Sequence, residues 1–147
     1  MAAKTVKLAC GKETVDVRLP ETVKVLEMAP AAPLSDPKGA VRQALTDPIE
    51  SPPLNEIARG KKNACVVISD ITRPVPNKII LPPMLSTLED SGIKREDITI
   101  LIATGMHRPN QGEELASMVG RDIMDNYMIV NHYCRKAETY RKIDEID

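Results

Sequence analysis

Twice in this chain a β-branched apolar run stops on a polar corner that carries an Arg-Pro pair. "ACVVI" leads into "SDITRPVPNK", Ser69 to Lys78, and "ITILI" leads into "ATGMHRPNQGEE", Ala103 to Glu114. Between the two lies a helical spacing within residues 77–91, with Leu81, Met84, Leu85 and Leu88 on one side and Gly92 as the stop. Pro82 and Pro83 imply a late start or a kink there. After the second corner, "NQGEELASMVG" reads as a short helix with Asn110 as N-cap, Glu113 three residues on and Gly120 as terminator. "YMIVNH" supplies a third strand. Strand, helix, strand, helix, strand over 63–133 is the pattern of an α/β sheet with right-handed crossovers. Its uninterrupted apolar strands suit a parallel sheet buried on both faces. The expected fold class is α/β: a three-layer Rossmann-like domain with a mostly parallel sheet.

Upstream, residues 1–30 form a β element. "TVKLA" and "TVDVRL" alternate apolar and polar positions around "CGKE", which is a hairpin signature, and "TVKVLEMA" adds a potential third strand. Residues 36–60 are rich in proline, and the prolines are positional. Asp36 precedes Pro37 and Ser51 precedes Pro52, so each proline can occupy the first turn of a short helix behind an N-cap. Arg59 and Gly60 close the second helix. The whole of 1–147 reads as a single α/β domain.

Charge and composition narrow the function. The net charge is −1, and the aromatics are three Tyr with no Phe or Trp. Neither a basic footprint nor a stacking platform is available, so nucleic acid is excluded as a partner. No apolar run approaches the ~20 residues of a membrane span. Three Cys, an odd number without zinc-like spacing, read as reduced thiols in a cytoplasmic protein.

Open α/β sheets bind ligands beyond the carboxyl ends of their strands, where both corners fall. The first corner supplies Asp70, Thr72 and Arg73, and the second supplies Thr104, Gly105, His107 and Arg108. One carboxylate, one imidazole and two guanidiniums suit a small anionic substrate, with the imidazole able to move a proton near neutral pH. Pro74 and Pro109 bias the preceding arginines toward extended geometry, and Gly105 permits a positive φ. Arg73 and His107 are therefore expected to converge on one cavity. Blander readings stand beside this one. His107 and Arg108 can face water, Arg73 can pair with Asp70 as a structural ion pair, and Thr72 and Thr104 can be turn hydroxyls. His132 and Cys134 share a strand face, but two ligands make a poor metal site. Glu113 and Glu114 fit a helix N-terminus better than acid–base work.

At "SDITRPVPNKIILPPMLSTLEDSGI" and "IATGMHRPNQGEELASMVG" the sequence resembles the amino-terminal part of the nickel-dependent lactate racemase family. "PIESPPLNEIARGKKNACVVISD" resembles the stretch that precedes the first motif, and the likeness runs over about residues 45–133. The resemblance implies racemisation or epimerisation of a 2-hydroxy acid through a nickel-pincer nucleotide, by reversible hydride transfer from C2. It implies that His107 is one of two acid–base histidines and that Arg73 holds or polarises the substrate, with Asp70 and Thr72 in support. The family's cofactor lysine, nickel-ligating histidine and second catalytic histidine lie beyond the matched segment. The expectation is therefore the N-terminal fragment of a longer two-domain enzyme. Its partners would be a small 2-hydroxy acid and its own C-terminal domain; it would have no metal or cofactor bound to the fragment and no activity in isolation. The polar ending "RKAETYRKIDEID" agrees with a fragment. A stand-alone module binding a carboxylate or phosphate metabolite, or a structural domain, are the rival classes.

Overall fold

The structure, a computed structural model, describes residues 3–11, 13–136, 138 and 141. The polar ending lies mostly outside the described residues. The chain, read above as one domain, divides into two compact units, Met1–Pro33 and Leu34–Asp147.

The first unit is a hairpin. Strands β1 (Ala3–Cys10) and β2 (Glu13–Pro20) pair antiparallel, with Val6 opposite Val17 and Leu8 opposite Val15. Gly11 takes a φ of 62° at the turn, a conformation that favours glycine. "TVKVLEMA" adds no strand: the chain is irregular after Val23, and Leu26 and Met28 are exposed. Alternation marks a potential strand, but a strand also requires a ladder edge to pair with.

In the second unit, helix α1 (Pro37–Thr46) starts as the sequence indicates, its Asp36 side chain accepting from the Gly39 amide. Helix α2 (Leu54–Ala58) does not start behind Ser51; its N-cap is Pro53. Two consecutive prolines are the reason, because Pro53 disfavours helical backbone at Pro52. Strand β3 (Ala64–Ser69), helix α3 (Asn77–Asp90), strand β4 (Ile98–Ala103) and helix α4 (Gly112–Val119) follow in the expected order. A second short helix, α5 (Arg121–Asn126), then precedes strand β5 (Met128–Asn131), which the sequence reading does not separate from its surroundings. Helix α3 begins at Asn77 and takes Pro82 and Pro83 into its interior, so a late start is ruled out.

The three strands form a parallel sheet in the order β3-β4-β5. The α/β class, the parallel sheet and the hairpin are as expected. Ile98, Ile100 and Ile102 of the central strand have no exposed area, and they pack with Ile68, Leu81, Leu85, Leu88, Val119 and Ile123 from the flanking strand and helices. Burial on both faces does not hold. On the opposite face Val67 is 60% exposed and Met128 57%, and Cys65 and Val130 are exposed as well. The packed helices stack on one side only, so the third layer does not lie within the described residues.

Candidate acid–base site at the strand ends

Parallel register fixes where the two corners begin. Ser69 stands opposite Ala103, so Asp70 and Thr104 leave neighbouring strands side by side. In the second corner Gly105, at φ 56°, turns the chain, and the His107 amide donates back to the Thr104 carbonyl at 3.0 Å. A Cβ at Gly105 would meet nothing within 4 Å, so the demand for glycine there is conformational and not steric. In the first corner the Arg73 amide donates to the Asp70 carbonyl at 3.2 Å, closing a turn of similar size.

These turns bring Asp70 and His107 together. His107 Nδ1 lies 2.5 Å from Asp70 Oδ2, and Thr72 donates to Asp70 Oδ1 from its hydroxyl at 2.7 Å and its amide at 3.2 Å. Asp70 is 5% exposed. The Thr72 hydroxyl, then His107, hold its carboxyl below the ordinary carboxylate range, against the opposing effect of burial. An ionised carboxylate only accepts, so Nδ1 carries the proton in this bond. The other ring nitrogen, Nε2, is then a base facing outward, on a side chain 54% exposed.

The remaining predicted residues take different places. Thr104 is buried, and its hydroxyl donates to the His132 carbonyl, tying the ends of β4 and β5 together. Arg108 does not face water alone: it forks onto Glu114, with contacts of 2.8 and 2.6 Å. That pair, followed by the Asn110 amide, holds the Glu114 carboxyl down to about 2. Arg73 does not pair with Asp70, whose oxygens are committed elsewhere, and its guanidinium makes no hydrogen bond or ion pair among the described residues.

Arg73 and His107 lie on adjoining cavities. His107 lines a cavity of about 260 Å³ with Asp70, Thr72, Arg108 and Asn110, whereas Arg73 lines a neighbouring one of about 540 Å³. Asp70 and Ile71 belong to both walls. The turn after Asp70 sends residue 73 to the α3 side. On its other flank His107 shares a cavity of about 410 Å³ with His132, Tyr133 and Arg135. The groove along the open edge of β3, about 550 Å³ and lined by residues such as Leu54, Ile57, Leu81 and Met84, brings no carboxylate or imidazole.

Asn110 was expected to cap α4; Gln111 takes that position instead. Buried to 1% exposure, Asn110 accepts from the Ile71 amide, donates to Glu114, and exchanges two bonds with Asn131 of β5 at 2.8 and 3.0 Å. It joins both corners to the third strand. The only signal in the sequence is an Asn beside each motif, which a capping rule claims first. Among the described residues no three His, Cys, Asp or Glu gather as a metal site, so His132 and Cys134 acquire no third ligand there. No helix of the described residues is long and apolar enough to cross a membrane.

Fold and site together define a parallel-sheet α/β domain with a carboxylate-oriented histidine at its strand ends. The family model for the lactate racemase N-terminal domain matches residues 10–147, and the chain belongs to that family. It is 43% identical over 106 residues to a lactate racemase of Lactiplantibacillus plantarum, covering 72% of this chain and 25% of that protein. A lactate racemase of Thermoanaerobacterium thermosaccharolyticum is 39% identical over 103 residues, covering 70% of this chain and 24% of that protein. The solved lactate racemase apoprotein of the same organism superposes with a TM-score of 0.72 at 32% identity, over 92% of this chain and 31% of that one. The chain thus spans about a quarter of the length of the curated relatives it matches.

Proposed function

We propose that this chain forms one wall of the active site of a lactate racemase-like enzyme, a racemase or epimerase of 2-hydroxy acids. His107 is the acid and base acting on the substrate hydroxyl. The observation that carries this reading is the Asp70–His107 contact of 2.5 Å. With Nδ1 committed to Asp70, Nε2 takes the hydroxyl proton as C2 becomes a carbonyl and returns it afterwards. Asp70 holds the ring in one tautomer and stabilises the imidazolium, and Thr72 holds Asp70. Thr104 and Gly105 place the loop that carries His107. Arg108, fixed by Glu114, forms part of the cavity wall, and Arg73 supplies an anion-holding charge on the far side of Asp70.

The lysine and histidine that the resemblance gives to a nickel-pincer nucleotide lie beyond the matched segment, so no described residue is assigned to hold it. The steps assigned to the described residues are proton handling and anion holding. One imidazole serves one face of a carbon centre. The isolated chain is accordingly inactive, and the partner it needs is the remaining three quarters of its relatives' length. The three free cysteines fit a reducing, cytoplasmic setting.

A chimera tests this directly: residues 10–147 replace the matching segment of the Lactiplantibacillus plantarum enzyme, and D- and L-lactate are followed. Interconversion that is lost on His107→Gln is the expected result. A chimera with native circular dichroism and no interconversion, or one indifferent to His107→Gln, would overturn the reading.

A further inference from the structure

The paired backbone of β3 and β4 ends at Ser69 and Ala103, so the corners that carry Asp70 and His107 run on without a ladder between them. Among the described residues two hydrogen bonds cross from one corner to the other. One is the Asp70–His107 contact itself, and the other runs from the Ile71 amide to the side-chain carbonyl of Asn110 at 3.3 Å. The imidazole is more than half exposed, so water competes for its ring. Its bond to Asp70 persists only where the carboxylate is held in register with it. Ile71 directly follows Asp70, and fixing its amide fixes the start of the turn that carries the carboxylate.

Asn110 is itself fixed from two sides. Its backbone exchanges two bonds with the Asn131 side chain, and Asn131 stands opposite Ile102 in the sheet. Its side-chain nitrogen donates to Glu114 Oε1 at 2.5 Å, and Arg108 holds that carboxylate by its fork. An amide side chain has two ends of nearly equal shape and opposite hydrogen-bonding sense. An ionised carboxylate only accepts, so the NH2 end of Asn110 faces Glu114 and the carbonyl end is left for the Ile71 N–H. Turned over, the amide would set its NH2 against that N–H, donor against donor. The arginine of the second corner thus acts on the first corner through Glu114 and Asn110.

We propose that Asn110 is a positioning residue for the acid–base pair: its side-chain carbonyl, aimed by Glu114, holds the Ile71 amide and so keeps the Asp70 carboxylate on Nδ1 of His107. The inference rests on the acid–base reading of His107 given above. It adds a reason for the Arg108–Glu114 fork, which that reading places in the cavity wall without a task.

Histidine ¹⁵N shifts of the 147-residue chain test the assignment at about pH 8.5, where an ordinary imidazole is neutral. The parent is expected to hold the His107 proton on Nδ1. Asn110→Ala should send a large share of it to Nε2. Glu114→Gln, which can offer Asn110 either end of its own amide, should send a smaller share. In the chimera, Asn110→Ala is expected to lower kcat for lactate about 10–10²-fold, with KM changed less than about threefold. Glu114→Gln keeps the buried amide and decides the matter if the alanine variant fails to fold. A His107 tautomer that neither variant moves, or a loss confined to KM, overturns the inference. The tautomer is read without turnover, so it separates this inference from the acid–base reading, which fails instead if His107→Gln leaves the chimera active.

Discussion

The two corners carry the same Arg-Pro pair, yet their arginines meet opposite fates. Six residues after Arg108 stands Glu114, on the first turn of α4, and the two close a fork. Six residues after Arg73 stands Ile79, and among the described residues Arg73 is in no ion pair, while Asp70 holds the imidazole of the other corner. One motif thus locks its guanidinium into structure while the other leaves it available. A short motif fixes the backbone, but the acid that shares its neighbourhood decides whether the charge is spent or kept.

That contrast is broken most readily at its shared member. His107→Gln in the chimera should lower lactate interconversion by about 10²–10⁴-fold. Asp70→Asn should cost on the order of 10²-fold or more by releasing the ring, and the double variant should be little worse than His107→Gln alone. Fully multiplicative losses would separate the two residues and end the dyad. The next effect is on stability. Asn110→Ala leaves the Ile71 amide without its acceptor and takes one donor from Glu114, and should cost about 1–3 kcal/mol in urea unfolding. A cost near zero would mean that Asn110 does not join the corners.

Acid sharpens the comparison further. Asp70 and Glu114 both have folded-state pKa values depressed below their ordinary ones, so each contributes stability above the unfolded pKa and loses it as pH falls. For Glu114 the loss runs from the usual 4.5 down to about 2. Glu114→Gln should flatten the fall of Tm across that window; an unchanged acid limb would contradict the Arg108 fork. The smallest effects belong to the arginines. Arg108→Ala should lower the urea midpoint only slightly, since its pair is exposed, and Arg73→Ala should leave it almost unchanged. A larger loss at Arg73 in equilibrium unfolding would reverse the contrast.

Much of the framework is legible without coordinates. The β-branched runs at 64–69 and 98–103, the leucine spacing of α3 and the stops at Gly92 and Gly120 all express local rules of period and backbone freedom. Errors arise where a local rule meets a competing use of the same residue. Asn110 looks like a cap and is instead a tertiary crosslink; "TVKVLEMA" alternates and finds no ladder. The continuous apolar run of β3 suggests two covered faces, but only one has helices against it.

The chain by itself determined which segments are strands and helices, and that two charged corners end neighbouring strands, because periodicity and proline or glycine dihedrals are properties of a few consecutive residues. Only the tertiary structure decided that Asp70 meets an imidazole 37 positions away and that Arg73 opens on a different cavity. Those outcomes depend on the register of β3 against β4 and on the direction each turn takes. Register and turn direction are set by packing over the whole core, which no short window of sequence contains.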